Sequence, residues 1–238
     1  ILKSPKGKKK RVWWASLLLA CLGLFFASVA SVSMVVALAL AVAFPNLPDI
    51  SSLSDYRPKL PLRIFTADGI LMGEFGEERR EMMPITEIPK AMTQAVLAIE
   101  DARFFEHGGV DYVGILRAAV ANLGRAKSQG ASTITMQVAR NVYLSSEKTY
   151  TRKIYEMLLT YKLEHLLSKN QILEIYMNQI YLGSRSYGFA SAAQTYFGVS
   201  LKNISIAQAA MLAGLPKAPS AYNPISNFKR ARSRQLHV

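Results

Sequence analysis

The chain has 238 residues, half of them apolar, and a formal net charge of +13. That length corresponds to one or two folding units, and the apolar share is ample for a core. A single cysteine, Cys21, excludes an internal disulfide framework and a cysteine-rich metal site. The basic balance indicates an anionic partner, which is nucleic acid, anionic lipid or a phosphorylated substrate.

The N-terminal segment combines a basic cluster with a long uncharged stretch. Residues 1–11 carry lysines and an arginine but no acid, and residues 12–44 carry no charged side chain. At about 1.5 Å per residue, a helix over 12–44 exceeds the hydrocarbon core of about 30 Å. We predict one transmembrane helix with a cytoplasmic N-terminus, because lysines stay on the cytoplasmic side. A cleaved signal peptide is the alternative, which the length of the stretch disfavours.

The next stretch predicts a linker followed by a small β structure. Several prolines and a serine cluster predict an extended linker over residues 45–61. Residues 63–75 predict a hairpin, with Asp68 and Gly69 as a two-residue turn. Residues 77–81 are expected to form a charged surface patch.

From residue 90 onward the hydrophobic spacing is helical. Residues 90–100 predict the first long helix, and residues 110–123 predict an amphipathic one. Ser205 is a helix cap, and Gly198 and Gly214 are helix stops. Further helices are predicted over 132–144, 149–168, 169–182, 187–197 and 205–214. The fold class is therefore mainly α with one small hairpin.

Two acids, Glu100 and Asp101, directly follow the apolar helix. Burying ionised carboxylates is costly unless they are paired or take part in chemistry. Phe104 supplies an apolar wall, and His107 supplies a donor that can hold a carboxylate or the turn. These residues alone leave open a solvated acidic pair at a helix C-terminus.

A second stretch, residues 130–141, begins with a glycine and continues into a helix. Ser132 or Thr133 can cap this helix, whose N-terminus suits an anion. Gln137 and Arg140 lie a turn apart and can add donors. An ordinary capped helix remains the alternative.

A third stretch places opposite charges on one helix. Arg152 and Glu156 are neighbours at i and i+4, and Lys153 lies on an adjacent face. A surface ion pair of little energetic value is the alternative. Residues 169–183 and 207–219 are expected to be mainly scaffold.

In order, these stretches resemble the five motifs of the peptidoglycan glycosyltransferases (glycosyltransferase family 51), which include the N-terminal domain of class A penicillin-binding proteins. The first three matches are Glu-Asp-x-x-Phe-x-x-His-x-Gly from Glu100, Gly-x-Ser-Thr-Ile-Thr-x-Gln from Gly130, and Arg-Lys-x-x-Glu from Arg152. The chain departs from the family at Met136, where a glutamine is usual. The resemblance implies a lysozyme-like glycosyltransferase domain, mainly α, preceded by a single transmembrane helix.

The resemblance also implies an order of segments along the chain. These are a basic cytoplasmic segment 1–11, a transmembrane helix 12–44, a linker 45–61, a glycosyltransferase domain 62–228, and 229–238 as the start of a connection to a transpeptidase domain. We expect the chain to be the first domain of such a protein rather than a monofunctional enzyme.

The implied reaction is polymerisation of lipid II into β-1,4 glycan strands, with inversion and release of undecaprenyl pyrophosphate. The resemblance makes Glu100 and Glu156 catalytic, and a poor sugar nucleophile needs a base, which we assign to Glu100. It assigns substrate binding to Asp101, Phe104, His107, Ser132, Thr133, Gln137, Arg140, Arg152 and Lys153.

The resemblance further defines the expected partners and location. The partners are lipid II, the growing lipid-linked glycan, the membrane and other cell-wall synthesis proteins, but not nucleic acid. A divalent cation, Mg²⁺ or Mn²⁺, is an open expectation; Glu156 either holds it or orients the cations, and no organic cofactor is expected. The catalytic domain is expected on the periplasmic side of the inner membrane, with residues 110–123 dipping into the membrane surface.

Two alternative functions remain open. A lysozyme-like enzyme that cleaves glycan shares the fold and the carboxylate, but it does not need cations at Arg152 and Lys153. A non-catalytic, membrane-anchored scaffold for cell-wall assembly is the other, and the presence of both Glu100 and Glu156 argues against it.

Overall fold

The computed structural model describes residues 9–47, 61–76, 78–123, 130–143 and 150–238. Most of the basic start, most of the proline-rich linker and the basic loop after Leu123 lie outside the described residues. The chain divides into two compact units, Ile1–Leu47 and Pro48–Val238, which are described separately.

The first unit is a single long helix, α1 (Lys9–Ala43), followed by a short 3₁₀ turn at Phe44–Asn46. Within α1, Trp13–Val35 is long and apolar enough to cross a membrane. At about 1.5 Å per residue this span matches a hydrocarbon core of about 30 Å. The prediction of one long apolar helix at the N-terminus is confirmed.

The second unit begins with the predicted hairpin, in which β1 (Leu62–Phe65) pairs antiparallel with β2 (Leu71–Phe75). The two-residue turn was a wrong prediction. The Gly69 N–H donates to the Thr66 carbonyl at 3.0 Å, so Asp68 and Gly69 are the last two residues of a four-residue turn. Thr66 and Ile70 are paired, so the hairpin loop consists of the three residues 67–69. The last residue of such a loop adopts a positive φ, and Gly69 has a φ of +83°.

Eight helices form the body of this unit among the described residues. They are α2 (Lys90–Glu100), α3 (Tyr112–Asn122), α4 (Ile134–Tyr143), α5 (Tyr150–Leu166), α6 (Lys169–Gln179), α7 (Phe189–Phe197), α8 (Ile206–Ala213) and α9 (Phe228–Gln235). Helix α4 packs between α5 and α6, and α2 packs on α8. The mainly α fold is confirmed, and the predicted helices α2 to α8 differ from expectation by a few residues at their ends.

Helix α9 was not predicted. The Asn227 side chain accepts a hydrogen bond from the Arg230 N–H at 3.3 Å and caps the helix. Ala231 and Gln235 are buried, and the Gln235 side chain donates to the Ala207 carbonyl at the start of α8. The sequence of α9 is strongly polar, and Ala231 and Gln235 are its only buried residues, so the apolar content that favours a packed helix is low.

The charged patch expected over residues 77–81 is also a wrong prediction. Residues Arg79–Arg80 form β3, which pairs in parallel with β4 (Ser186–Tyr187). Arg80 is buried, and its guanidinium lies 4.4 Å from the centre of the Tyr187 ring. This part of the chain is therefore a docked element of the fold, held by a cation–π contact.

Two side chains of α6 form hydrogen bonds with the backbone of the segment between β3 and α2. The Asn178 amide accepts from the Met83 N–H and donates to the Met83 carbonyl, both at 2.9 Å. The Glu174 carboxylate accepts from the Ile85 N–H at 2.7 Å. Asn178 and Met83 are both buried, so these bonds satisfy backbone groups that water does not reach.

The Asn178→Ala variant tests how much the Asn178 hydrogen bonds contribute to the stability of the fold. It leaves the N–H and the carbonyl of Met83 unpaired in a buried site, and each unpaired group costs about 1–3 kcal/mol. We expect the free energy of unfolding to fall by about 2 kcal/mol or more, measured by urea titration with circular dichroism in detergent. The exposed Asn170→Ala, on the same helix, should change it by less than about 0.5 kcal/mol. Equal losses in the two variants would contradict this account.

Candidate active site

Glu100 is the last residue of α2, and its carboxylate faces α4. The Gln137 amide donates to Glu100 Oε2 at 2.7 Å. Burial raises the pKa of Glu100 above its ordinary value of 4.5. The Gln137 hydrogen bond and the charges of Arg234 and Arg140 oppose this by lowering the pKa, and the charge of Asp101 raises it further.

Asp101 joins the end of α2 to the start of α4. Its Oδ1 accepts from His107 Nε2 at 2.9 Å, and its Oδ2 accepts from the Ile134 N–H at 3.0 Å. His107 Nδ1 accepts from the Gly109 N–H at 3.1 Å. Because Nδ1 is an acceptor, the proton of the neutral ring lies on Nε2, which donates to Asp101.

The N-terminus of α4 is capped by Thr133, one of the two predicted caps. Its hydroxyl accepts from the Met136 N–H at 3.2 Å and donates to the Gly109 carbonyl. The first N–H of the helix, at Ile134, is taken by Asp101. The anion held at this helix N-terminus is therefore a side chain of the protein itself.

Gly109 is a position where a side chain does not fit. Its φ is +91°, and a Cβ there would lie 2.5 Å from Thr160 and 2.8 Å from Glu164. Absence of a side chain lets this turn pack directly against α5, which brings His107 back to Asp101.

Phe104 is placed differently from the expected pocket wall. Its side chain is 1% exposed, and the ammonium of Lys169 lies 4.4 Å from its ring centre. Neither Phe104 nor His107 lines the cavity beside Glu100. Both side chains instead stabilise the turn after α2 on the side away from the cavity.

The cavity beside Glu100 has a volume of about 560 Å³. The expected site residues that line it are Glu100, Asp101, Ser132, Thr133, Gln137 and Arg140. Several basic residues outside the expected site also line it, namely Arg103, Arg117, Lys217, Arg234 and His237. Cations thus surround the half-buried carboxylate of Glu100, an arrangement suited to an anionic ligand.

The third stretch forms a buried charge cluster next to this cavity. Glu156 is 1% exposed. Lys153 Nζ lies 2.7 Å from its Oε1, and Arg152 lies 3.7 Å from its Oε2. Lys153 Nζ also reaches Ser132 Oγ at 3.4 Å, which connects the cluster to the cavity wall. These are not surface ion pairs, because the carboxylate they neutralise is buried.

The residues present do not build a metal site. Within the described ranges, no group of three or more His, Cys, Asp or Glu side chains could hold a metal ion. The one buried carboxylate of the third stretch, Glu156, already faces two cations. The divalent cation stays a prediction.

A second cavity, of about 580 Å³, lies next to the first. The two share Arg140 and Pro216 in their walls. Side chains of Asn141, Tyr181 and Tyr187 line the second cavity. Arg140 therefore lies between the two adjoining cavities.

A transglycosylase family model matches residues 68–238, and the chain belongs to that family. It is the glycosyltransferase family 51 domain of the class A penicillin-binding proteins. The chain is 55% identical to penicillin-binding protein 1A of Neisseria gonorrhoeae over 93% of its own length and 28% of that protein. It therefore spans little more than a quarter of this relative.

Two further relatives complete the comparison. A Cupriavidus necator protein, whose name assigns it provisionally to the transglycosylases, is 48% identical over 96% of this chain and 88% of that protein. The crystal structure of penicillin-binding protein 1A from Haemophilus influenzae matches with a TM-score of 0.40 and 30% identity, over 76% of this chain and 17% of that one.

The raised pKa of Glu100 predicts that this side chain destabilises the folded protein at neutral pH. A carboxyl whose folded pKa lies above its unfolded value favours folding while protonated, and that contribution is lost as pH rises through the folded pKa. We expect Glu100→Gln, which resembles the protonated form, to be more stable than the wild type at pH 7. The difference should disappear near pH 4.

Urea unfolding of both proteins at the two pH values measures this difference. Glu106→Gln, at an exposed position of the same turn, is the matched control and should be neutral at both. A Glu100→Gln protein less stable than the wild type at pH 7 would show that the charged form is favoured in the fold.

Proposed function

We propose that this chain is a membrane-anchored peptidoglycan glycosyltransferase that polymerises lipid II into β-1,4 glycan strands and releases undecaprenyl pyrophosphate. Its membership of the transglycosylase family supports the reaction class. The observation that carries the proposal is the half-buried Glu100 carboxylate in a cavity lined by cations. A base beside cations suits a reaction that deprotonates a hydroxyl and expels an anion.

Glu100 acts on the acceptor. The 4-hydroxyl of the N-acetylglucosamine of lipid II attacks C1 of the donor sugar, and Glu100 accepts the hydroxyl proton as the new C–O bond forms. Burial raises the pKa of Glu100, which makes the carboxylate a stronger base nearer neutral pH. The Gln137 hydrogen bond at 2.7 Å fixes the carboxylate while leaving its other oxygen for the hydroxyl.

Cations act on the donor. The bond from C1 to the α-linked pyrophosphate breaks as the β bond forms, so negative charge develops on the leaving group. Arg140 lines the cavity, whereas Lys153 does not line it but reaches Ser132 in its wall at 3.4 Å. Glu156 holds Lys153 and Arg152 in place from the buried side.

The lipid-linked substrates give a reason for the apolar surfaces of the chain. Helix α1 anchors the protein, with the lysine-rich start in the cytoplasm and the catalytic unit in the periplasm. In α3 only Gly114 and Ala118 are buried, whereas Leu116 and Val120 are 66% and 60% exposed. This is the reverse of an ordinary amphipathic helix on a soluble domain, and it fits contact with the membrane surface.

Glycan cleavage is the second candidate function, and one observation favours it. A raised pKa for Glu100 also suits a general acid that protonates a glycosidic oxygen. The cationic lining favours the transferase, because a neutral glycan leaving group needs no cation. Other cell-wall synthesis proteins are proposed partners of either enzyme.

Polymerisation of labelled lipid II in detergent tests the proposed function. We expect long glycan from the wild type and a loss of about 10²–10⁴-fold in Glu100→Gln, the range for a lost general base. Glu156→Gln should also lose activity, because Lys153 and Arg152 lose the carboxylate that positions them. The matched control Glu106→Gln should retain activity.

Other outcomes of this assay identify the alternatives. Release of soluble muropeptides from sacculi without polymerisation would establish the hydrolase. Complementation of a deletion strain by Glu100→Gln would establish a scaffold. Full polymerisation by Glu100→Gln in vitro would remove the base assignment.

Polar substitutions on α3 test its proposed membrane contact. The double variant Leu116→Asn/Val120→Asn removes exposed apolar area without touching a buried residue. Each Å² of apolar area no longer buried in the membrane weakens its binding by about 25 cal/mol. We therefore expect slower polymerisation of full-length lipid II in vesicles and a smaller effect on a short-chain analogue. Ala119→Asn, also exposed on α3, is the control. Equal rates for all three proteins on the full-length lipid would contradict a membrane role.

A further inference from the structure

Helix α9 places a basic side chain in the wall of the cavity that holds Glu100. Arg234 lines this cavity together with Gln137 and Arg140. Helix α9 packs on α8, and α8 packs on α2, which ends at Glu100. The C-terminal helix is thereby part of the site.

The path of Arg234 depends on a glycine at the end of α8. A Cβ at Gly214 would lie 2.7 Å from Arg234 Cγ, closer than side-chain atoms ordinarily approach. The stem of Arg234 therefore lies directly across the backbone of Gly214. This close crossing sets the direction in which the guanidinium enters the cavity.

The guanidinium of Arg234 is not neutralised by a direct partner in the part of the chain that the structure describes. Its Nε is buried and has no hydrogen-bond partner there, and none of the ion pairs between described residues includes Arg234. Arg103, in the same cavity wall, differs because it is paired with Asp111. Arg234 as a whole is half-buried, and an enclosed polar atom without a direct partner is costly, so a role for this side chain is expected.

We propose that Arg234 is a positioning residue that acts through Glu100, holding it in its carboxylate form across the cavity so that it is ready to accept a proton. The inference rests on the proposed role of Glu100 as the base. The direction of the electrostatic effect agrees with this role. The charges of Arg234 and Arg140 both lower the pKa of Glu100, whereas burial, the larger effect, raises it.

Other charged and titratable groups face Glu100 and set the background for this effect. They are Asp101, Arg103, Asp111, Arg117, Arg140, Lys217 and His237 in the cavity wall, and Tyr176 behind it. Arg103 is paired with Asp111 and Asp101 with His107. Variants of Arg234 leave all of these groups in place.

Titration of Glu100 in the full chain in detergent tests the inference. The ¹³C shift of the Glu100 carboxyl, assigned by its absence in Glu100→Gln, is followed against pH. Loss of a nearby cation disfavours the charged form, so Arg234→Gln should raise the midpoint by about one pH unit. Arg234→Lys, which keeps the charge, should restore most of it. Arg230→Gln removes the same charge from an exposed position of α9 and should leave the midpoint unchanged.

A second variant covers the possibility that Arg234→Gln does not fold. Gly214→Ala leaves the arginine but places a methyl group on the path of its stem. It should displace the guanidinium and raise the midpoint in the same direction. Unfolding midpoints by circular dichroism show which variants are folded.

The pH dependence of lipid II polymerisation provides the functional readout. In Arg234→Gln the acid limb should move to higher pH by the same shift, with kcat recovering as pH rises. An unchanged Glu100 midpoint in folded Arg234→Gln and Gly214→Ala overturns the inference. A raised KM with an unchanged midpoint overturns it too, because Arg234 would then bind substrate directly. Absence of polymer from the wild type bears on the proposed function alone, since the carboxyl titration needs no turnover.

Discussion

The Asp101 carboxylate is the interaction on which the rest of the site depends. It accepts one hydrogen bond from His107 and one from the first N–H of α4, so a single side chain fixes the turn after α2 and the start of α4. Gln137, one turn further along α4, consequently meets Glu100. A carboxylate at a helix N-terminus is favoured by both the free N–H groups and the helix dipole. The same bond occupies this N–H, so it is not free for another anion.

The two glutamates of the site lie in opposite electrostatic situations. Glu156 has an ammonium at 2.7 Å and a guanidinium at 3.7 Å, which is the arrangement of a structural carboxylate that holds cations in place. Glu100 has an amide as its hydrogen-bond donor, and its cations act from a greater distance. One carboxylate is thus compensated and the other is left reactive. Environments that separate two like groups in this way commonly mark different chemical roles.

The sequence predicted the elements that follow from periodicity and local capping. Helix α2 has the predicted bounds, and Ser205 caps α8 through a capping box with Gln208. It also brought Glu100, Gln137 and Arg140 to one site, because the motif residues lie at helix ends that the fold gathers together. It missed β3 and α9. A two-residue strand has too few positions to show alternation, and α9 carries mostly arginine and lysine around a narrow buried face. The cavity residues Lys217 and Arg234 depend on how separate elements cross, which no local pattern specifies.

Phe104 and the apolar side chains of α3 show that sequence spacing does not specify what a side chain contacts. Phe104 was expected to form an apolar wall, and the family resemblance assigned it to substrate binding, yet its side chain packs into the core below Lys169. The apolar positions of α3 were expected to form one face of an amphipathic helix that dips into the membrane surface; in the structure these side chains are exposed, and Gly114 and Ala118 are buried. Helical spacing shows which residues share a face but not which solvent that face meets. Asp111 caps α3, and its side chain accepts from the Gly114 N–H at 2.8 Å, which leaves no room for a Cβ at Gly114. Because the small residues of α3 face inward, the large apolar side chains point outward, and they form the surface for which we propose membrane contact.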